Sequence, residues 1–382
     1  GKERHAAPPP RLQPPPLFAM FALGVAVVVV ILACVGYVAR HRSEVLTSIS
    51  CAAIRGLEAL KLRRAGLVRR SVRMRPPGYR RLVRAHFLER ATTTSPGGNE
   101  RVLLIIPGFT ASAALIMSDL VWKLRPPPSW RVVVMELPLH EANIENFDGA
   151  HPGCNAILQY TVAFAKAVGL LGDYDSGPHL HLCGYSLGGR VAMELLHAHP
   201  AHVRKLAMIA PAFPETMDDG FERCARTEPR RVHAWRTRAE LREVCSFDGM
   251  IGCRPGHLLT HSLVQGAMVR DREQTYGRKH GDFFADYVAR LLQKEREPSP
   301  LDAASLHQVR APVLLVTGER DRCVDSGKCR EQIQDVLGPE RCAFHELVDT
   351  SHYAAPNADG WLPDGNILYN AAPLCAKFLF GE

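Results

Sequence analysis

Ser186 stands at the centre of Gly184-Tyr185-Ser186-Leu187-Gly188, a spacing that presents a hydroxyl on a tight turn. Residues 180–183 before it are an apolar strand candidate. After it, Val191, Met193, Leu195 and Leu196 give residues 187–199 the face of an amphipathic helix that ends before Pro200. Strand, sharp turn and helix are the context of a nucleophile elbow, where glycines let the backbone approach closely and lift the serine clear of a sheet. A serine is a poor nucleophile unless an imidazole takes its proton. The imidazole in turn needs a carboxylate to fix its tautomer and stabilise its charged form. The chemistry to look for is therefore acyl transfer through an acyl-enzyme.

This elbow resembles that of the α/β-hydrolases, in which the partners follow in the order serine, acid, histidine. Asp321 falls in the loop after the apolar run 312–317 and a glycine turn, and takes the place of the orienting acid. Glu319 and Asp325 are its neighbours, and Asp349 competes by its closeness to the histidine. Of seventeen histidines, His352 is the one that follows the last strand candidate, in Leu347-Val348-Asp349-Thr350-Ser351-His352. His197, His199 and His202 read as polar ends of a surface helix. The tetrahedral intermediate needs two backbone donors, each contributing about 3–4 kcal/mol when aimed at the oxyanion. Leu187 supplies one, and Phe109, in Pro107-Gly108-Phe109-Thr110 after run 101–106, supplies the second.

These residues need a frame. Apolar runs at 101–106, 131–135, 179–183, 205–209, 312–317 and 342–348 alternate with segments long enough for crossover helices. That pattern predicts a mostly parallel sheet with helices on both faces. Between 214 and 308 the strand signal gives way to a polar, Arg- and Cys-bearing helical stretch, read as a cap inserted between two strands. The expected fold is an α/β-hydrolase fold with a helical cap insertion and an N-terminal transmembrane helix. Its core spans 78–213 and 309–382, with a closing apolar helix at 367–380. Phe213, Met217, Met250, Leu258, Leu259, Leu263, Phe283 and Phe284 are candidates to line an acyl tunnel or, equally, to form ordinary cap core.

The N-terminal part reads differently. Residues 1–16 carry two triple-proline runs and predict an extended tail. Residues 17–38 are uncharged and apolar, long enough at about 1.5 Å per residue to cross a ~30 Å hydrocarbon core. A signal peptide is the alternative, but its apolar core is shorter and no small-x-small cleavage site follows. Residues 39–77 form a basic juxtamembrane segment. Their Arg and Lys excess, against Lys2, Arg4 and Arg11 before the span, predicts a single-pass protein with its hydrolase side cytoplasmic. Net charge is +8, concentrated between residues 40 and 84. A local surplus argues for a local partner, anionic lipid at a bilayer, or else a solvated helix face. No nucleic-acid partner is read, and protein partners are not identified. Eleven scattered cysteines with no Cys-x2-Cys pair give neither a metal site nor a disulfide framework. A reducing compartment follows, and no cofactor is expected.

Taken together, the anchor, the Pro107–Thr110 loop, the turn at 135–140, Gly184-Tyr185-Ser186-Leu187-Gly188-Gly189 and the Asp321 and His352 segments resemble the single-pass monoacylglycerol lipases of the α/β-hydrolase-domain family. In that family the loop usually reads His-Gly-Phe, so Pro107 removes a polar side chain while leaving the Phe109 N–H. The family's closing Gly-His is Ser351-His352 here. The resemblance implies lipid ester substrates, namely monoacylglycerols and lysolipids. Rival chemistries on the same nucleophile are a lipid acyltransferase and a protein-depalmitoylating thioesterase. No His-x4-Asp, a pattern common among acyltransferase relatives, occurs here. The non-enzyme alternative is a membrane scaffold that binds partners through its Pro-rich tail and cap.

Overall fold

The computed structural model of the chain describes residues 42–91, 101–109, 113–138, 143, 154–172, 179–228, 231–232, 235–246, 249, 251–253, 261–276, 302–353 and 367–381. The chain divides into two units, 1–49 and 50–382. Of the first, residues 42–49 are described, as the start of a helix. The span read at 17–38 and the tail at 1–16 lie outside the described residues. Among the described residues no helix is long and apolar enough to cross a membrane.

In chain order the strands are β1 (Val68–Met74), β2 (Val83–Arg90), β3 (Arg101–Ile106), β4 (Trp130–Met135), β5 (His179–Tyr185), β6 (Val203–Ile209), β7 (Val313–Gly318) and β8 (Cys342–Leu347). The main helices are α1 (Arg42–Ala65), α2 (Ser118–Leu124), α3 (Cys154–Ala167), α4 (Leu187–Ala198), α5 (Asp219–Thr227), α6 (Arg238–Cys245), α7 (Ser262–Tyr276), α8 (Ala303–His307) and α9 (Ile367–Phe380). The strands form one sheet in the order β1-β2-β4-β3-β5-β6-β7-β8. From β4 to β8 every pairing is parallel, while β2 is antiparallel to both β1 and β4.

The central strands β3 and β7 read as nearly unbroken apolar runs because both of their faces are covered, whereas β8 at the edge keeps His345 and Glu346 on its partly exposed surface. In β3, Val102, Leu104 and Ile106 enter one core with Tyr160 and Phe164 of α3 and Val191 and Leu195 of α4. Leu103 and Ile105 enter the opposite core with Leu120 of α2 and Leu368 and Leu379 of α9. A third, smaller cluster holds Trp235, Leu241, Val244, Cys245 and Cys253. It belongs to the stretch between β6 and β7, where the described residues are helical or irregular and contain no named strand. Phe213 and Met217, offered as tunnel lining, are buried in the α3-side core. Met250, Leu258, Leu259, Phe283 and Phe284 lie outside the described residues, as does the side chain of Leu263.

One boundary moves. The sheet starts at Val68, inside the segment 39–77 read as a basic juxtamembrane stretch. β1 is an edge strand, exposed at Val68, Arg69, Arg70, Ser71 and Arg73 and buried only at Met74. A strand covered on so little of its surface carries no apolar run, and arginines along a free edge discourage pairing with other chains. The end of α1 is also part of the fold. Lys61 pairs with Asp119 of α2, both buried, and donates to the Leu115 carbonyl at 3.1 Å. Ala65 and Leu67 follow it into the α9-side core.

His181 in β5 lies edge-on to Trp130, ring centroids 4.7 Å apart. Burial, then the Lys205 charge, lowers its pKa from 6.5 to about 4. The folded chain keeps this ring neutral where the unfolded chain protonates it. Stability should therefore fall as pH drops from about 6.5 to about 4 and then level off. Urea midpoints measured across that range are expected to decline, and His181→Gln should make the decline shallower.

Candidate active site

β5 ends at Tyr185 and α4 begins at Leu187, so Ser186 alone makes the turn between them. Its backbone has φ 53° and ψ −123°, a conformation costly for a non-glycine residue and held only when its surroundings over-determine it. Those surroundings are backbone hydrogen bonds: the Ser186 N–H donates to the Ile209 carbonyl at 2.9 Å, and its carbonyl accepts from Gly189 and Ala212 at 2.8 and 3.0 Å. A side chain at Gly184 would meet the Gly188 carbonyl at 2.3 Å, and one at Gly188 would meet the Ile106 carbonyl at 2.0 Å. Both glycines are there to let three backbone segments touch.

Ser186, His352 and Asp321 come together from the ends of β5, β8 and β7. His352 Nε2 lies 2.9 Å from Ser186 Oγ, and Nδ1 lies 2.8 Å from Asp321 Oδ2. All three are buried, each less than a tenth exposed. Asp321 is fixed by its other oxygen, Oδ1, which accepts the N–H groups of Cys323 and Val324 at 2.8 and 2.9 Å. The competing acids are engaged elsewhere. Asp349 pairs with Arg320 at 2.9 Å, Glu319 accepts the Asp349 N–H at 2.7 Å, and Asp325 caps a short helix by accepting the Lys328 N–H. His202, read as the polar end of a surface helix, is buried with Nε2 3.0 Å from the Gly172 carbonyl.

Leu187 follows the serine directly, and Phe109 follows a glycine that lies against it. Phe109 is buried in the loop after β3, and the adjacent Gly108 is so close that a side chain there would meet Ser186 Cβ at 3.1 Å. Leu187 is the first residue of α4, where N–H groups have no partner within the helix. Asp321, Cys323 and His352 present ligand-type atoms within 4.8 Å of one another. The carboxylate and the imidazole are already paired together. Burial, then the Asp321 charge, pushes the Cys323 thiol well above its usual range.

Two residues support the histidine, and their spacing gave no sign of it. Tyr185 Oη donates to the His352 carbonyl at 2.8 Å, and its ring stacks on the imidazole with centroids 5.5 Å apart. Ser351, read as a small-for-small change, donates from Oγ to the Ile251 carbonyl at 2.7 Å. It thereby ties the loop of His352 to the stretch between β6 and β7. Removing the phenol hydroxyl in Tyr185→Phe leaves the stack but frees the carbonyl. With a neutral hydrogen bond contributing about 1 kcal/mol, kcat for a soluble ester is expected to fall about fivefold with KM unchanged.

A serine on a strand-to-helix elbow at the carboxyl edge of a mostly parallel sheet defines the α/β-hydrolase class of enzyme. The chain belongs to the Alpha/beta hydrolase family, whose sequence profile matches residues 102–361. No curated protein sequence matches the chain. Among solved structures it is similar to a bacterial membrane phospholipase A described as a virulence factor, with TM-score 0.62 and 22% identity, covering 95% of this chain and 98% of that one. It is also similar to carboxylesterase CesB of Bacillus subtilis, at TM-score 0.55 and 15% identity over 87% of this chain and 99% of the other. A serine hydrolase of Cycloclasticus zankles gives TM-score 0.56 and 12% identity over 82% and 99%. At such identities the likeness concerns the fold.

Proposed function

We propose that the chain hydrolyses acyl esters of membrane lipids, monoacylglycerols or lysolipids, through an acyl-enzyme on Ser186. The observation that carries this reading is the single histidine held between hydroxyl and carboxylate, 2.9 Å from one and 2.8 Å from the other. In the first half-reaction His352 Nε2 takes the Ser186 proton as Oγ attacks the acyl carbon, then returns it to the leaving alcohol. Asp321 holds the Nδ1 proton in place and stabilises the imidazolium. The N–H groups of Phe109 and Leu187 receive the oxyanion. Water then repeats the sequence to release the acid.

Residues 17–38 anchor the chain, the basic residues after them keep the hydrolase on the cytoplasmic side, and residues 214–308 cap the site. The name of the membrane phospholipase A, whose fold is similar, goes with a lipid ester substrate. Purified protein in detergent is expected to release glycerol from monoacylglycerols faster than from triacylglycerols. Equal or reversed rates would overturn the substrate assignment. Protease added outside intact membranes should spare the hydrolase domain, and digestion there would refute the topology.

A further inference from the structure

The β1-β2 hairpin lies at the same end of the sheet as Ser186. Register fixes this: Phe87 of β2 pairs with Met135, the last residue of β4, and β4, β3 and β5 run level to Ile106 and Gly184. β2 is antiparallel to β4, so residues 83–86 and their β1 partners 71–74 extend beyond the edge from which the elbow rises. Four residues carry the arm about 13 Å past that edge, and three strand spacings put it roughly 14 Å to one side of β5.

The arm is held rigidly. Buried Asn143 clasps it, with Oδ1 accepting the His86 N–H at 2.8 Å and Nδ2 donating to the His86 carbonyl at 3.3 Å and the Glu136 carbonyl at 2.7 Å. At the tip the Tyr79 N–H donates to the Pro76 carbonyl at 3.1 Å with Gly78 at φ 80°, a turn that requires glycine at its third position. The Tyr79 ring packs toward Tyr160 of α3.

What this arm presents is charge, together with one exposed large apolar side chain. Arg73, Arg75, Arg80, Arg81 and Arg84 are exposed, and Leu82 is 58% exposed. Residues 59–88 contain no Asp or Glu. His86 reports the resulting field: beyond partial burial, Arg84 and Arg69 lower its pKa. Exposed arginines on either side of an exposed leucine in the chain fit a lipid surface, where the charges meet phosphate headgroups and the leucine enters the acyl boundary.

We propose that this hairpin tip docks on an anionic lipid surface and holds the edge of the sheet that carries Ser186 against it. The docking serves the lipid-ester reading of Ser186 and rests on it for its purpose. To test it, the full chain is reconstituted in vesicles of phosphatidylcholine, alone or with one part in three phosphatidylserine. Tryptic cleavage after Arg80 and Arg81, read by mass spectrometry, is expected to slow about tenfold in the anionic vesicles and to recover at high salt. Equal cleavage in both vesicles, or stronger protection by a duplex oligonucleotide than by lipid, overturns the docking. In a second arm, Arg80→Gln with Arg81→Gln should lower turnover of a bilayer-embedded monoacyl ester about tenfold in anionic vesicles. Turnover of a short soluble ester and fluorophosphonate labelling of Ser186 should not change. Loss on both substrates alike, or on neither, also overturns it. A wild-type chain that hydrolyses no ester sinks the reading of Ser186 instead, and tryptic protection alone then decides the docking.

Discussion

Replacing Ser186 by alanine is expected to lower kcat for ester hydrolysis by roughly a millionfold, to the residual rate that substrate binding and the oxyanion donors sustain. The hydroxyl is the only group lost. Alanine carries the same Cβ at φ 53°, and the hydrogen bonds that impose that backbone belong to Ile209, Gly189 and Ala212. Folding is therefore expected to be unaffected, which a matching urea midpoint would confirm. Fluorophosphonate labelling should vanish in the same variant, and unchanged labelling would sink the reading of Ser186 as nucleophile. Because the three side chains act as a unit, adding His352→Ala to Ser186→Ala should cost little more. Asp321→Asn should cost about ten thousandfold. Its Oδ1 can go on accepting from Cys323 and Val324, but its amide would face His352 Nδ1 with a donor and favour the wrong tautomer.

Much of the scaffold was legible because burial on both faces writes itself into sequence. β3 to β7 each carry a buried apolar stretch bounded by turns, and each was readable to within two residues at either end. β1 and β2 were not. An edge strand of the composition Val-Arg-Arg-Ser-Val-Arg-Met buries little and so shows no pattern, and its arginines invited a membrane reading instead. At the site, order along the chain brought Ser186, Asp321 and His352 forward and favoured Asp321 over Asp349, but it could not show what holds the two acids apart. What separates them is Arg320, which takes Asp349, and two backbone N–H groups that fix Asp321. Sequence proximity says nothing of either. The same holds for Tyr185 and Ser351, whose partners lie 167 and 100 residues away. A middle residue of the elbow carries no signal that its hydroxyl reaches the histidine's carbonyl.

Gly188→Ala should do to the scaffold what Ser186→Ala does to the chemistry. A Cβ at this position would stand 2.0 Å from the Ile106 carbonyl, 2.5 Å from the Pro107 carbonyl and 2.6 Å from the Ile106 carbonyl carbon. None of these is the far end of a flexible side chain, so relief requires the end of β3 and the start of α4 to part. The loop that would move carries Gly108 and Phe109 beside Ser186, which couples stability to the site. Overpacking against backbone is expected to cost about 3 kcal/mol, read as a fall in the urea midpoint, together with loss of fluorophosphonate labelling. Gly56 supplies the control of opposite sign. It lies inside α1 with nothing within 4 Å of the added carbon, so Gly56→Ala should leave labelling intact and raise stability by up to about 1 kcal/mol. A Gly188→Ala chain with the wild-type midpoint and full labelling would mean that β3 and α4 do not meet as closely as the elbow requires.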